Sequence, residues 1–418
     1  MIKRHSIIAS LSVGLLGFTL AGCMTTPQTP AERAADIHAS AIVIDAHADI
    51  VLPETSPLYL GPDGQSKSST AKLQAGAFDA VVMSVAAGPK PRTAAGRASA
   101  AAEAEAKLAA IETRVAQSPD LAFATTSDQL RTNMAADQVS ILLGFQNAQS
   151  LAGDLSRLDA YYDSGVRVFG LTHMGHNDYA DSSRPMFDGA TGTYEVTEEH
   201  GGLSPLGLEA VTRIDALGGI IDVSQMSKAA TLQAIAATNT PVIATHSNVK
   251  TLSDVTRNLS DEEIDRIGAT GGVIHIAAFS AYLVDLSDPV LAAKVRAVRR
   301  GAGLPETYSY PYELYWELED ESEKLDFLTK MRALVGQQDV SRMVDHIDYV
   351  VDRIGIDHVG IGTDFNHGGG IVGFVEADSA ANVTAELLAR GYSASDINKI
   401  WGENFLRVLD QANTRAPS

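Results

Sequence analysis

Val166-Arg167-Val168-Phe169-Gly170-Leu171-Thr172-His173 is a short apolar run that finishes on a polar pair ending in histidine. The same pattern recurs along the chain. Apolar runs of strand length are read at 41–45, 78–86, 139–145, 166–171, 219–223, 241–245, 272–277 and 358–362. They are nearly continuous rather than alternating, as expected for parallel strands covered on both faces. Helical patterns lie between them. Residues 94–116 are rich in Ala, Glu and Lys, 206–217 are amphipathic, and 261–267 follow a Ser260 cap. Eight strands alternating with helices predict an α/β protein of the (β/α)8 barrel type, with two smaller doubly wound domains as the second reading. No repeat of fixed period and no long linker interrupts residues 31–409, which favours one domain.

Composition narrows the function classes. The 418 residues are 45% hydrophobic and 20% charged, and a mean hydropathy of +0.00 excludes a multi-span membrane protein. Thirty-two basic against 52 acidic residues leave a net charge of −20. A surface that negative repels phosphate backbones, so no nucleic-acid partner is expected. The single cysteine excludes an internal disulfide and a thiolate metal cluster.

That cysteine has its own context. Lys3 and Arg4 precede an apolar run from Ile7 to Leu20, too short for a comfortable membrane span, so a secretory signal is predicted. The run ends in Leu20-Ala21-Gly22-Cys23, which resembles the lipobox of bacterial lipoproteins. The likeness implies a signal peptide over 1–22, lipidation of Cys23, a polar tether over 23–35 and the barrel over 36–412. Lipid chains hold such a protein at a membrane surface without spanning it. Met24 in place of an Asp favours the outer membrane of a bacterial cell envelope, facing the periplasm.

The chemistry-bearing residues collect at strand ends, where barrels of this type place their active sites. The first strand runs into Asp45-Ala46-His47-Ala48-Asp49, the third ends in Gln146-Asn147 and the fourth in Thr172-His173. The fifth ends in Ser224-Gln225, the sixth in His246-Ser247 and the eighth in Thr363-Asp364. Six such endings around one barrel mouth predict a shared site. His47 and Asp49 are two apart and share a direction if the pleat continues. Imidazole with carboxylate suits Zn²⁺ or a similar dication, which His246 and Asp364 could complete.

Over most of residues 36–410 the chain resembles the membrane dipeptidase (renal dipeptidase) family of the amidohydrolase superfamily. The carriers are Ile44-Asp45-Ala46-His47-Ala48-Asp49, Gly202-Leu203-Ser204-Pro205-Leu206-Gly207, Thr245-His246-Ser247, Arg257-Asn258, Asp345-His346-Ile347-Asp348, the block from Gly355 to Phe365, and Asn382 to Leu409 with Gly402-Glu403-Asn404-Phe405. The resemblance implies a zinc-dependent hydrolase of dipeptides, often tolerant of a D-residue at the second position, and a homodimer. It implies a first metal on His47 and Asp49, with Asp364 beside it as proton shuttle, and a second metal on His246. His173 would polarise the scissile carbonyl, and Arg257 would receive the substrate carboxylate.

Two positions depart from the family's pattern. Gln146 stands where the bridging Glu is expected, and Gln225 where a His of the second metal is expected. The substrate-contacting Tyr has no counterpart around Ala278-Phe279-Ser280. Two dications about 4 Å apart repel by roughly 16 kcal/mol at an effective dielectric near 20, and a bridging carboxylate offsets much of that. A neutral Gln146 does not. One zinc ion or none is therefore predicted rather than a pair, and the one-ion mechanism has Asp364 as the base and His173 at the oxyanion. The rival reading is a repurposed lipoprotein that binds a peptide in the barrel mouth without cleaving it. A deaminase or lactonase is disfavoured because the first strand carries His-x-Asp rather than His-x-His.

Remaining features have two readings each. His176, Asp178 and Asp181 are replacement ligands or a polar loop at the mouth, with the loop preferred. His367 is a compensating ligand or a loop residue beside Gly368-Gly369-Gly370, a run that lacks the spacing of a phosphate loop. His275 is expected to be buried and hydrogen-bonded. The segment with Tyr308, Tyr310, Tyr312, Tyr315 and Trp316, followed by Glu317, Glu319, Asp320, Glu321 and Glu323, is read as an insert between the seventh and eighth strands. It either packs on the barrel or forms a lid or dimer contact.

Overall fold

The computed structural model describes residues 28–188, 191, 193–304, 318 and 320–415. Eight parallel strands form the barrel: β1 (Ile44–Asp49), β2 (Ala80–Ala86), β3 (Val139–Gln146), β4 (Val166–Gly170), β5 (Ile220–Asp222), β6 (Ile243–Ala244), β7 (Val273–Ala277) and β8 (Val359–Gly362). They neighbour one another in that order, each pair in parallel register. The seam between β8 and β1 is closed by main-chain bonds from Asp49 N–H to Phe365 O and from Asp364 N–H to His47 O, both 3.0 Å. A short strand, Leu121–Phe123, adds to β3 outside the circle.

Seven of the eight expected strands lie within two residues of their predicted bounds. The first is displaced: it begins at Ile44 rather than 41 and runs through Asp49. The reason is local. Ile42 N–H donates to Asn398 Oδ1 and Val43 N–H to Asp79 Oδ2, each at 2.8 Å. Side chains thus take the donors that a strand partner would need, and the ladder starts later. The His47 and Asp49 pair consequently lies within β1, beside a register irregularity between Asp45 and Ala48, which re-aims side chains as β-bulges do.

The barrel interior is filled with apolar side chains at its amino end. Ile44, Ala46, Ala80, Val82, Leu142, Val168, Ile220, Ile243 and Val273 pack there with Phe405, Leu406, Val408, Leu409 and Ala412 of the helix Asn404–Asn413. This plug leaves the carboxyl end as the open face. A larger apolar layer lies between strands and surrounding helices, including Val81, Met83, Ile141 and Phe169 from strands and Val344 and Ile347 from the helix Val340–Ile354.

Helix starts follow their caps. Thr93 caps Ala94–Gln117, Ser204 with Pro205 opens Pro205–Leu217, and Ser260 with Glu263 forms a capping box on Asp261–Ala269. Helix Pro30–Ser40 reaches into the residues assigned from sequence to the tether, with Ala34, Ile37 and His38 buried. The signal peptide and Cys23 lie outside the described residues, as do Tyr308 to Glu317 and Glu319. Between β7 and β8 the helices Pro289–Gly301 and Glu321–Val335 do form an insert, joined by Val295, Leu304, Leu318, Phe327 and Met331. Among the described residues no helix is long and apolar enough to cross a membrane.

Candidate metal centre and active site

The seven residues predicted for the metal centre sit at the open face, delivered by six of the eight strands. His47 and Asp49 come from β1 and Gln146 from the end of β3, while His173, Gln225, His246 and Asp364 follow β4, β5, β6 and β8. All seven are buried. The His47 ring stacks on His246, centroids 3.8 Å apart at 21°. One ligand atom each from His47, His246 and Asp364 lie within 4.8 Å of one another, and the same holds for Asp49, Asp364 and His367. His367 also lies 5.1 Å from the His173 ring, centroid to centroid. It therefore belongs to the site rather than to a remote loop.

The backbone is strained where the ligands turn inward. Asp364 has φ +56° and Gln225 has φ +70°, a left-handed region that non-glycine residues rarely occupy and that clusters at functional sites. Asp45 braces the seam behind them. Its carboxylate accepts from Thr363 Oγ1 at 2.6 Å, Thr363 N at 2.8 Å and His47 N at 3.1 Å, while burial pushes its pKa up to about 6 against those bonds. Asp222 braces β5 and β6, accepting from Thr245 Oγ1 at 2.6 Å and from the Ser224 and Thr245 amides.

That second brace sets a tautomer. The Thr245 hydroxyl spends its proton on Asp222, so it accepts from His246 Nδ1 at 2.7 Å, which leaves the lone pair on His246 Nε2. Gln225 Nε2 lies 3.3 Å from that nitrogen and donates to it. Gln225 Oε1 in turn accepts from Arg184 Nη2 at 2.7 Å.

Charge is arranged unevenly. Burial alone would raise the Asp49 carboxyl, but contact with His47 and the positive Lys107 hold it well below the usual range. Burial lowers the His47 imidazole, yet Asp49, Asp364 and Asp222 outweigh it and raise it overall. His173 and His246 are held well below their ordinary value, first by burial and then by neighbouring positive groups, Arg184 among them. The pocket thus has an acidic side around β1 and β8 and a cationic side around Arg184 and Arg257.

The donor set fits a dication. Asp49 Oδ2 and Asp364 Oδ1 are buried acceptors without a hydrogen-bond partner, and they stand beside imidazole nitrogens in a zinc-compatible mixture of N and O. Gln146 and Gln225 are neutral, and the Gln225 amide already engages the free nitrogen of His246.

Arg257 bonds inward, from Nη1 to Ser247 Oγ at 2.7 Å and from Nη2 to His246 O at 2.5 Å. Its guanidinium carbon lies 5.0 Å from the Tyr282 ring centre. The loop reading holds for His176 and Asp181. His176 contacts Ser182 N–H and Val196 O, and Asp181 accepts from the Glu199, His200 and Gly202 amides. His275 is buried and donates from Nδ1 to Ala244 O at 2.8 Å.

Two residues escaped sequence reasoning. Lys107 Nζ lies 3.7 Å from Asp49 Oδ1 and 3.7 Å from Glu103 Oε1. Its helix buries Ala100, Ala104 and Ile111, and position 107 shares their face, so a lysine in that register was the available signal. Arg184 had no such signal, because its loop has no period.

The model of the family described as membrane dipeptidase (peptidase family M19) matches residues 31–418. A crystal structure of the probable dipeptidase PvdM from Pseudomonas aeruginosa is 34% identical, with a TM-score of 0.81, covering 93% of this chain and 99% of that one. Dipeptidase aclJ of Aspergillus oryzae is 28% identical over 65% of this chain and 51% of its own length. The chain thus spans about half the length of the curated relatives it matches. A metallo peptidase from Rhodobacter sphaeroides, liganded with a phosphinate mimic of the dipeptide L-Ala-D-Ala, shares the fold at 19% identity and a TM-score of 0.68, over 89% of this chain and 100% of that one.

Proposed function

The chain belongs to the membrane dipeptidase family, and from that premise we propose that it hydrolyses dipeptides with water activated at a single zinc-type ion. The observation that carries this reading is the pair of partnerless buried oxygens, Asp49 Oδ2 and Asp364 Oδ1, beside His47. His47, Asp49 and Asp364 would hold the ion, with His246 and His367 within reach. When bound, the ion lowers the pKa of a water and polarises the scissile carbonyl.

The chain's own groups do the rest. Asp364, held by its amide to His47 O, takes a proton from the attacking water and returns it to the leaving amine. His173, whose Nδ1 is buried without a partner, faces the developing oxyanion as a neutral donor. Arg257 Nε also has no partner and is buried, and it receives the substrate carboxylate. Since the Rhodobacter protein's ligand mimics L-Ala-D-Ala, we extend the substrate class to dipeptides with a D-residue second.

The test combines metal content with turnover. Purified protein is expected to retain one zinc ion per chain and to cleave L,L- or L,D-dipeptides, with cleavage lost in Asp364→Asn. Two tightly held zinc ions overturn the single-ion form. The neutral Gln146 and Gln225 favour a second reading, capture without cleavage. Saturable dipeptide binding that is unchanged in Asp364→Asn, with no turnover, establishes it. We further propose lipidation at Cys23 and outer-membrane attachment; fatty-acid labelling that persists in Cys23→Ser refutes it.

A further inference from the structure

A buried positive charge in the barrel mouth is unaccounted for by this reaction scheme. Arg184 is only 3% exposed, and its guanidinium is charged at any physiological pH. Its loop is fastened to the end of β5, with Ser183 N–H donating to Gln225 O at 2.9 Å and Ser182 Oγ reaching the same carbonyl at 3.3 Å. The Gln225 backbone is in turn held at φ +70°. The side chain of Arg184 is therefore built into the site.

The polarity of the chain of bonds is fixed at both ends. Asp222 orients Thr245, Thr245 orients His246, and the lone pair of His246 Nε2 faces the Gln225 amide nitrogen. The Gln225 oxygen then faces Arg184. Gln225 occupies the two donor atoms that an ion on this side would need, its own oxygen and the imidazole nitrogen, and places a cation behind them. Gln146, the other neutral amide at the mouth, keeps a buried and partnerless Nε2 and adds no negative charge to balance an incoming ion.

We propose that Arg184 is a resident cation of the site: relayed through Gln225 to His246, its guanidinium takes the place of a second metal ion, so that the chain carries one exchangeable cation and one that is covalently its own. The fixed charge faces the side of the mouth that holds His246 and Gln225, and it supplies attraction to an anionic group of the substrate or of its tetrahedral intermediate. The inference rests on the single-ion reading for the wild-type stoichiometry, but the charge-blocking role is separately testable.

Zinc per chain would be counted by elemental analysis after equilibration with excess zinc and gel filtration of the full chain. Three proteins suffice: wild type, the double variant Gln146→Glu with Gln225→His, and the same pair combined with Arg184→Ala. Histidine is among the residues that tolerate the left-handed backbone at position 225. The double variant is expected to bind no more zinc than wild type, and the triple variant one ion more. An extra ion already present in the double variant overturns the proposal. So does a triple variant that folds with wild-type circular dichroism and gains none. Arg184→Met, which keeps the aliphatic stem, replaces Arg184→Ala if the latter does not fold.

In an otherwise wild-type chain, Arg184→Met is expected to weaken binding of a phosphinate dipeptide mimic at least tenfold with zinc content unchanged. Unchanged affinity also counts against the proposal. Because the decisive quantity is the difference between double and triple variants, a wild-type protein with no zinc would sink the hydrolase reading and leave this one to be judged on its own.

Discussion

Asp364 and Lys107 act on the same acidic side of the site from opposite directions. Asp364→Asn keeps a residue type that accepts φ +56°, so folding should survive. Turnover should fall by about 10²–10⁴-fold, the usual worth of a positioned acid–base group, as measured by kcat on the best dipeptide. Lys107 places a positive charge 3.7 Å from Asp49 Oδ1, where it competes with any bound cation. Lys107→Met should therefore tighten zinc binding by roughly tenfold, about 1.4 kcal/mol, read by competition with a chelating dye. Weaker binding would mean that the lysine positions Asp49 rather than opposing the ion. At this scale the strand-end ligands were legible because each ended an apolar run. Arg184 was not, since a cation in an aperiodic loop carries no positional signal. Lys107 was half legible, as a charge on the buried face of a regular helix.

Strands and helices were read nearly in register because burial on both faces makes a parallel strand conspicuous. Strand β1 was the exception, because two side chains, Asn398 and Asp79, intercept its early amides across sequence separations of 356 and 36. No local pattern contains that information. The short hairpin Phe187–Asp188 with Thr193–Tyr194 was likewise invisible, being too brief for any periodicity. The closeness of β6 to β8 at the mouth depends on Gly362. A Cβ there would meet Thr245 O at 1.8 Å, and a main-chain atom cannot swing aside. Gly362→Ala should cost about 3 kcal/mol, at the upper end for overpacking, visible as a lower urea midpoint. It should also reduce zinc retention, since Asp364 lies two residues on.

Acid stability belongs to the whole barrel. Burial lowers His275 to about 4 and His346 to about 3, and both remain neutral in the fold. Unfolded histidines titrate near 6.5, so below that pH the unfolded chain binds more protons and stability declines as pH falls. The decline runs from about 6.5 down to about 4 for His275 and about 3 for His346. Near pH 5 each histidine should have cost about 2 kcal/mol. Thermal melts at pH 7.5 and 5.0 should show the drop, and His346→Asn should flatten part of it. An unchanged difference in that variant would place the acid lability elsewhere.

The seam between β1 and β8 has a consequence for biosynthesis. The imidazole–carboxylate pair at positions 47 and 49 and the carboxylate at 364 reach each other only through bonds joining opposite ends of the polypeptide. A ribosome-bound nascent chain lacking its last barrel strand has half a chelator. Cation capture is thereby postponed until synthesis has passed residue 365, and fragments cut anywhere between the two strands should be inert until mixed with their missing counterpart.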